Sequence, residues 1–446
     1  MNRKLSRRDF LRLGGGALAL AAGAGLVQTP LKKMLRPSEV VKAQAGDPYD
    51  LYWAGTDGWI YLPPDPPIGY FHPDEYAPSP FTTYIFGFRN ISGMSPDQIT
   101  NQKMKAQHSA PLFWVNQYDG TNEMRMQLTN LGMAQRPDLF DAHTIHWHGF
   151  RNVIPFFDGE PTTSLSVPEG ENFMYIYRPR DPGTYMYHCH VEDVEHVHMG
   201  MTGLVFVRPA QDGDTGLYPS GKYAYNDGDG STGYDREFAL FCSEVWAESH
   251  WADAHIQLPE WSDYRADFAL LNGRVYPDTL LPNAPVVTGK SGNTLWYATD
   301  GNGDLVPPTG YDYLQYQPQS SLVRCNAGER VLLRFANLGF KEAVMTLAGI
   351  KMHVIGKDAT IMRGRDGTDV SYMTNEVSFG AGESVDAIFT APAYQGPGPY
   401  DRYILYNRSY LRSNNLAGGY GGQMSEIHVF PAGTLSSQAY PNDWAA

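Results

Sequence analysis

Short segments in which hydrophobic and polar residues alternate recur along most of the chain, separated by glycine, proline and asparagine. Side chains two residues apart on a β-strand share one face, so this alternation predicts half-buried strands of antiparallel sandwiches. The composition agrees, because the 446 residues include 46 Gly, 32 Pro, 29 Tyr and 20 Phe. We therefore predict an all-β protein, and its length indicates two or three domains.

A stretch rich in glycine and aspartate divides the chain into two parts. Residues 211–234 show no apolar periodicity, so we interpret them as a linker. They separate residues 46–210 from residues 235–446, and short alternating segments fill both parts. We therefore predict one β-sandwich domain on each side of the linker.

The two parts share a sequence plan. Residues 124–132 resemble residues 331–339, and residues 201–207 resemble residues 424–430, in the same order along the chain. Two matches in one order indicate an internal duplication. The second part nevertheless lacks the histidines of the first, and the corresponding positions hold Ala343, Thr346, Ala348 and residues 406–409.

The first 45 residues predict export. Residues 6–11 read SRRDFL and precede an apolar run, rich in glycine and alanine, from about residue 13 to residue 27. This pattern is typical of a twin-arginine signal. A membrane anchor is the alternative, but the run is shorter than the roughly 20 apolar residues that span a bilayer. We expect an exported protein, in the periplasm, outside the cell or at its surface, without a stable membrane span; an uncleaved tether remains open.

The chain is acidic. Its formal net charge of −14 comes from 34 Lys and Arg against 48 Asp and Glu, with histidine neutral. Nine of these bases and two of these acids lie in residues 1–45, so the remainder carries a charge near −21. Such a balance argues against nucleic acid and anionic lipid as partners. It is compatible with metal cations and equally with solubility alone.

The three cysteines are too few for a disulfide scaffold. Cys242 and Cys325 both fall in the second part, and one hypothesis is that they pair in an oxidising compartment. Cys189 then stays free. It lies in the densest histidine pattern of the chain, which reads HCHVEDVEHVHMGM over residues 188–201.

Two aromatic and β-branched segments, HTIHWHGF at residues 143–150 and YMYHCH at residues 185–190, predict strands. Because side chains alternate between faces, His143 and Cys189 would meet on one face if these strands pair. The other face would then collect His146, His148, His188 and His190. The alternation therefore predicts two metal sites that share a backbone.

The cysteine side offers the ligands of a blue-copper centre. His196 and Met201 follow Cys189, and Gly200 permits a tight approach. Two imidazoles, one thiolate and a weak thioether favour copper, whereas structural zinc sites seldom recruit methionine. On the other face, imidazole ligands alone suit copper that binds oxygen species. Core histidines paired with carboxylates are the alternative there, but four imidazoles this close would repel one another if protonated.

At these motifs the sequence resembles the multicopper oxidases, the group of the cupredoxin superfamily related to laccases and copper nitrite reductases. The resemblance covers nearly all of the chain after the signal and implies two cupredoxin-like Greek-key β-sandwich domains. It assigns a type 1 copper to His143, Cys189, His196 and Met201. It assigns type 2 or type 3 copper, or both, and the catalytic chemistry to His146, His148, His188 and His190. His198 and Met199 are weaker alternatives for His196 and Met201, because the loop is two residues longer than usual.

The resemblance also exposes a shortage of histidines. A trinuclear copper cluster in this family takes eight histidines, and the two predicted strands provide four. In two-domain relatives a neighbouring subunit of a homotrimer supplies the rest, at positions that here hold Thr346, Ala348 and residues 407–409. His250 and His255 are the remaining candidates, although surface or capping roles are more common. Copper nitrite reductases do not have histidines at the positions of His146 and His190. The two histidines here therefore favour a cluster of several coppers over one catalytic copper.

The resemblance implies a copper oxidoreductase that passes electrons from a small-molecule or metal-ion reductant, through the type 1 site and Cys189, to a histidine site that reduces oxygen. The alternatives are a blue-copper electron carrier, a nitrite reductase-like enzyme with one catalytic copper, and a cupredoxin without metal. Asp158, just after the first copper strand, could orient a histidine or relay protons, or could serve only as a turn residue.

Overall fold

In a computed structural model of the chain, residues 50–121, 123–287, 296–416 and 420–444 are described. Four β-sheets and three short helices make up the regular structure of these residues, apart from single 3₁₀ turns. The prediction of an all-β protein built of sandwiches is therefore confirmed. None of the helices in these ranges is both long and apolar enough to cross a bilayer. The predicted twin-arginine signal lies outside the described residues.

The first half forms a sandwich of two four-stranded sheets, in the orders β2-β1-β4-β6 and β3-β8-β7-β5. Inward-facing aromatic residues of both sheets, such as Trp53, Phe113 and Tyr187, fill the core between them. The strands are β1 (Asp50–Ile60), β2 (Thr83–Asn90), β3 (Phe113–Asn116), β4 (Met124–Asn130), β5 (His146–His148), β6 (Asn172–Tyr177), β7 (Gly183–His188) and β8 (Thr202–Arg208).

The second half forms a separate pair of sheets, with the orders β10-β9-β12-β18-β14-β15, where β16 also pairs with β14, and β11-β20-β19-β13-β17. The first six strands are β9 (Arg236–Val245), β10 (Phe268–Leu271), β11 (Val323–Asn326), β12 (Arg330–Asn337), β13 (Ala343–Leu347) and β14 (Met352–Lys357). The other six are β15 (Thr360–Ile361), β16 (Tyr372–Thr374), β17 (Glu376–Phe379), β18 (Ser384–Thr390), β19 (Asp401–Asn407) and β20 (Met424–Phe430). Among the described strands, no sheet mixes the two halves.

The strand pairing repeats between the halves in the way that the sequence duplication indicates. Strand β1 runs parallel to β4, as β9 does to β12. Likewise β3 runs parallel to β8, as β11 does to β20. The strands β4 and β12, and the strands β8 and β20, carry the segments that match in sequence. The same two parallel pairs therefore form the frame of each sandwich.

The helices are α1 (Pro96–Thr100), α2 (Asp193–Met199) and α3 (Ala247–Ala254). Nothing in the apolar pattern of residues 193–199 predicts α2, which lies within the stretch that carries the expected copper ligands. The predicted linker, residues 211–234, contains no strand, but it is packed rather than extended. Tyr225 is buried there and donates a hydrogen bond to Asp386 of the second half, with an O–O distance of 2.6 Å.

The two remaining cysteines do not pair. Cys242 lies on β9 and Cys325 lies on β11, in opposite sheets of the second sandwich, and both thiols are free and buried in its core. The hypothesis of a disulfide between them is therefore wrong. Burial raises the pKa of the Cys325 thiol to about 12, so this thiol stays protonated and packs as a small apolar group.

A buried group of charged and polar side chains joins β7 to the second half. The Arg334 guanidinium donates to Glu237 at 3.1 Å and to the Thr184 hydroxyl of β7 at 3.3 Å. Thr184 in turn donates to the carboxylate of Asp386 at 2.6 Å. All four residues are at most 4% exposed. Since an unpaired buried charge is costly, this group holds the strand that ends at His188 firmly against the second half.

We predict that Arg334→Ala lowers the free energy of unfolding by about 3–5 kcal/mol, because it leaves the buried carboxylate of Asp386 without its cation and removes one of the two guanidinium groups that pair with Glu237. Arg402→Ala is the matched control. Arg402 pairs with Glu426, but its side chain is 58% exposed, so the cost should be at most about 1 kcal/mol. Urea unfolding followed by circular dichroism measures both variants, and equal losses would contradict the role given to the buried group.

Candidate metal centres

The two histidine-rich segments lie side by side, as expected. Strand β5 pairs with β7 in antiparallel fashion, and His146 stands directly opposite His188. Strand β5 is shorter than predicted, since it begins only at His146, and β7 begins and ends two residues earlier than predicted, at Gly183 and His188. His143 leaves this pairing and instead forms an isolated bridge with Val167. The ligand candidates therefore lie at the ends of strands, where the chain changes partners.

His143, Cys189 and His196 form a compact, buried group at one side of these strands. One ligand atom from each residue lies within 4.8 Å of the others, and all three side chains are inaccessible to solvent. The Cys189 sulfur is 3.3 Å from Nδ1 of His196. An ion bound about 2.0–2.3 Å from each of its ligands fits such separations. The three side chains are therefore spaced to hold one metal ion.

The hydrogen bonding around this group leaves ring nitrogens free for a metal. Both ring nitrogens of His143 are buried without a hydrogen-bond partner, which is costly for a polar group. Nε2 of His196 lies 3.4 Å from a carboxylate oxygen of Asp141, so its Nδ1 is left to face Cys189. A carboxylate that orients a ligating imidazole is common at metal sites. The sequence carried no signal for Asp141.

Electrostatics favour a thiolate at Cys189. Burial alone would raise the pKa of the thiol, but the imidazoles of His196 and His143 outweigh it and lower that pKa well below its usual range. The backbone N–H of Thr144 also points at the sulfur, at 3.4 Å. The thiolate is the form that binds a metal, so the protein environment prepares Cys189 as a ligand.

Met201 lies beside this group of side chains. It is fully buried, its N–H donates to the His196 carbonyl, and its own carbonyl accepts from the Cys189 N–H. Gly55 on β1 leaves room for it, since a Cβ at this glycine would lie 3.2 Å from the Met201 methyl group and 2.8 Å from Cδ2 of His143. Met199, the weaker alternative, is buried as well. Gly55 was not predicted as a site residue, and a glycine inside a strand was its only sequence signal.

The four other histidines gather on the opposite side. His146, His148 and His188 bring one nitrogen each to within 4.8 Å of the others. His190 adjoins them, with its ring centroid 4.8 Å from that of His146 and 5.5 Å from that of His188. Its backbone N–H donates to the Thr144 hydroxyl, which fixes the chain between the two sites. All four line one cavity of about 320 Å³.

Hydrogen bonds orient the rings of His146 and His188. Nδ1 of His146 contacts the Asp158 carbonyl at 2.8 Å, and Nδ1 of His188 contacts the Cys189 carbonyl at 2.7 Å. A neutral ring that donates from Nδ1 leaves Nε2 free to bind a metal. Burial and the His146 imidazole hold the pKa of His188 well below its usual range, and burial also lowers the pKa of His148. Asp158 contacts His146 mainly through its backbone carbonyl, because its carboxylate oxygen Oδ1 lies farther away, at 3.5 Å from Nδ1 of His146.

The second half supplies the opposite wall of the cavity without a ligand. The wall consists of Leu338, Gly339, Phe340, Ala381 and Gly382. Gly382 has a φ of +80°, and a Cβ there would lie 2.8 Å from Nε2 of His148. The backbone of the second half therefore packs directly against a histidine of the cavity. No imidazole from the described part of the second half lines it.

His250 and His255 are engaged elsewhere. His250 is 1% exposed and contacts the Tyr84 carbonyl through Nδ1 at 2.6 Å. His255 contacts the Asp74 carboxylate at 3.1 Å and stacks between Tyr76 and Trp251. Both rings therefore already have partners within their own chain, in helix α3 and directly after it, and the alternative that either one reaches a neighbour's copper stays a prediction.

We predict that Gly55→Ala disturbs the His143 and Met201 side of the site, because the added methyl group meets both side chains. After loading with Cu(II), the visible and EPR spectra should change while the circular dichroism of the fold does not. Gly301→Ala is the matched control, since a Cβ there meets no atom within 4 Å. Identical spectra for wild type and Gly55→Ala would contradict the placement of these two side chains at the metal.

The sequence is similar to parts of known multicopper oxidases. The multicopper oxidase family model matches residues 126–212. Laccase-5 of Arabidopsis thaliana is 24% identical over 281 residues, which are 62% of this chain and 38% of that protein. Laccase-like multicopper oxidase 1 of Thermothelomyces thermophilus is 38% identical over 88 residues, which are 19% of this chain and 12% of that protein. The matches thus span less than half the length of either relative.

Solved structures share the fold over most of the chain. The blue copper oxidase from Nitrosomonas europaea superposes with a TM-score of 0.53 and 18% identity, over 85% of both chains. The multicopper oxidase mgLAC superposes with a TM-score of 0.54 and 18% identity, over 88% of both chains. Residues 126–212, which hold Cys189 and all the histidines of the two centres, therefore match the multicopper oxidase family model, and the chain has a fold like that of these two solved structures.

Proposed function

We propose that the protein is a copper-dependent oxidoreductase of the laccase type. It takes electrons from a small-molecule or metal-ion reductant and delivers them to oxygen. The observation that carries this proposal is the pair of ligand groups at the end of β7, one around Cys189 and one around His188. Family resemblance supports the reaction class, and the acidic composition is compatible with a cationic reductant.

The first group would hold a type 1 copper through His143, Cys189 and His196, with Met201 as a further, weak ligand. Copper, when bound in the two groups, supplies one-electron redox chemistry. The chain contributes a thiolate that is buried together with the imidazoles of His143 and His196. The N–H of Thr144 on the sulfur and the carboxylate behind His196 are the contacts through which the protein tunes such a site.

The second group would hold type 2 or type 3 copper, or both, and would be the place of oxygen reduction. Burial lowers the pKa of His188 and of His148, which favours the neutral imidazoles that ligands must be. Cys189 stands between His188 and His190 in sequence, so a few covalent bonds join the two groups. This shared backbone is the proposed route for electrons.

A function with fewer coppers is the second candidate, and the histidine count favours it. All 13 histidines of the chain are described, and the second half contributes only His250, His255, His353 and His428. His353 contacts the Ser371 hydroxyl at 2.6 Å, and His428 contacts Glu426 at 2.7 Å. If a neighbouring copy in a homotrimer supplied the missing ligands, these imidazoles of its second half would have to give up their present contacts. A blue-copper electron carrier, or an enzyme with one catalytic copper, needs no such rearrangement.

We also propose that the protein is exported by the twin-arginine route. The SRRDFL motif at residues 6–11 and the apolar run after it support this proposal. Export of a folded protein would allow its copper to be inserted beforehand.

Copper content separates the candidates. We expect more than two coppers per chain, with type 1 and further copper signals in EPR, if the protein is an oxidase. Two coppers would indicate one catalytic copper, and one copper would indicate an electron carrier. Metal analysis together with visible and EPR spectra of the fully loaded protein provides the measurement. Protein that binds no copper would overturn the proposal.

His148→Ala tests the oxygen site separately. It removes one imidazole of the cavity and leaves the Cys189 group untouched, so oxygen uptake with a phenolic or metal-ion donor should fall at least about a hundredfold. The type 1 spectrum should persist. His353→Ala, at a half-buried histidine on β14, serves as the control and should retain activity. Full oxygen uptake by His148→Ala would rule out the four-histidine cavity as the place of oxygen reduction.

A further inference from the structure

Helix α2 carries two buried histidines that point in opposite directions. Successive residues of an α-helix are turned by about 100°, so residues two apart lie on roughly opposite sides. His196 reaches the Cys189 sulfur on one side. His198 is also buried, at 4% exposure, but it extends from the other side, away from the Cys189 group. One short helix therefore connects the expected copper ligand with a second environment.

That second environment belongs to the second half of the chain. Nε2 of His198 accepts a hydrogen bond from the backbone N–H of Trp246, with an N–N distance of 3.1 Å. Trp246 lies between β9 and α3, and its N–H is buried. Four rings of the second half surround the imidazole, with centroids 5.0–5.6 Å from that of His198: His250, Trp261, Tyr264 and Phe340.

The protonation state of His198 suits this contact. The Trp246 N–H can donate only to an unprotonated Nε2, so the ring in this contact is neutral. A neutral ring that accepts at Nε2 carries its proton on Nδ1. If the acceptor were lost, the buried N–H of Trp246 would lose its partner, which is costly for a buried polar group.

Helix α2 depends on such support. It has only seven residues, its N-cap Glu192 has a φ of +46°, and no side chain caps its N-terminus. Isolated helices of this length do not form in water, so packing must fix its orientation. The helix then ends at Gly200, with a φ of +121°, directly before Met201. Any rotation of α2 would therefore displace His196 and Met201 together.

We propose that His198 is a positioning residue, through which the second half of the chain fixes α2 and thereby holds His196 and Met201 against Cys189. This inference rests on the proposed type 1 site. It gives the second half, which contributes no ligand to the Cys189 group, a defined part in shaping the metal site.

The test compares two substitutions in the full-length, copper-loaded protein. His198→Phe keeps a ring in the aromatic surroundings but cannot accept the Trp246 N–H, whereas His198→Gln retains an acceptor oxygen. We expect His198→Phe to change the type 1 visible and EPR spectra and to lose copper to a chelator about tenfold faster, the effect of one unpaired buried donor. His198→Gln should stay within about threefold of wild type and keep its spectra. His428→Phe, at the histidine paired with Glu426 on β20, is the control and should leave the spectra unchanged.

The proposal is overturned if folded His198→Phe has wild-type spectra and copper retention, or if His198→Gln is as disturbed as His198→Phe. A second measurement needs no stable variant at position 198. In metal-free wild-type protein labelled with ¹⁵N-histidine, His198 should show an unprotonated Nε2 and a protonated Nδ1, and a protonated Nε2 would refute the contact. Wild-type protein without a type 1 signal would instead refute the proposed function, whatever the tautomer of His198.

Discussion

The alternation of side chains at the end of β7 is the constraint on which the site depends. Neighbouring residues of an extended chain point to opposite sides, so Cys189 joins His143 and His196 while His188 joins the histidines of β5. One peptide segment thus belongs to two centres that share no side chain. The bridge between His143 and Val167 and the hydrogen bond from the Thr144 N–H to the Cys189 sulfur help to fix the position of that segment.

The second half supports the site without adding a ligand to it. The buried guanidinium of Arg334 binds Thr184 at the start of β7, and the aromatic rings around His198 hold the other end of the ligand-bearing segment. Gly382 closes the histidine cavity with backbone. The second sandwich repeats the strand pairing of the first, but its part in the site is to support the ligand-bearing segment of the first sandwich.

Much of the candidate site could be predicted from the sequence, because the spacing of His143, Cys189 and the neighbouring histidines encodes strand parity locally. Asp141 and Gly55 could not be predicted, since their proximity to His196 and His143 arises only when distant strands pack. The contact of His198 with the second half was beyond prediction for the same reason, and residues 193–199 gave no helical pattern. The β-sandwich class followed from alternation, whereas the packing of the tyrosines of residues 211–234 did not.

The glycine that closes the cavity also limits how this protein can change. Gly382 has a left-handed backbone and touches His148, so a side chain introduced there would strain the chain and collide with the ring. An imidazole cannot be installed at this position by a single substitution without moving the loop. Engineering a fuller metal cluster into this chain would therefore have to begin by rebuilding the backbone near residue 382, before any new ligand is chosen.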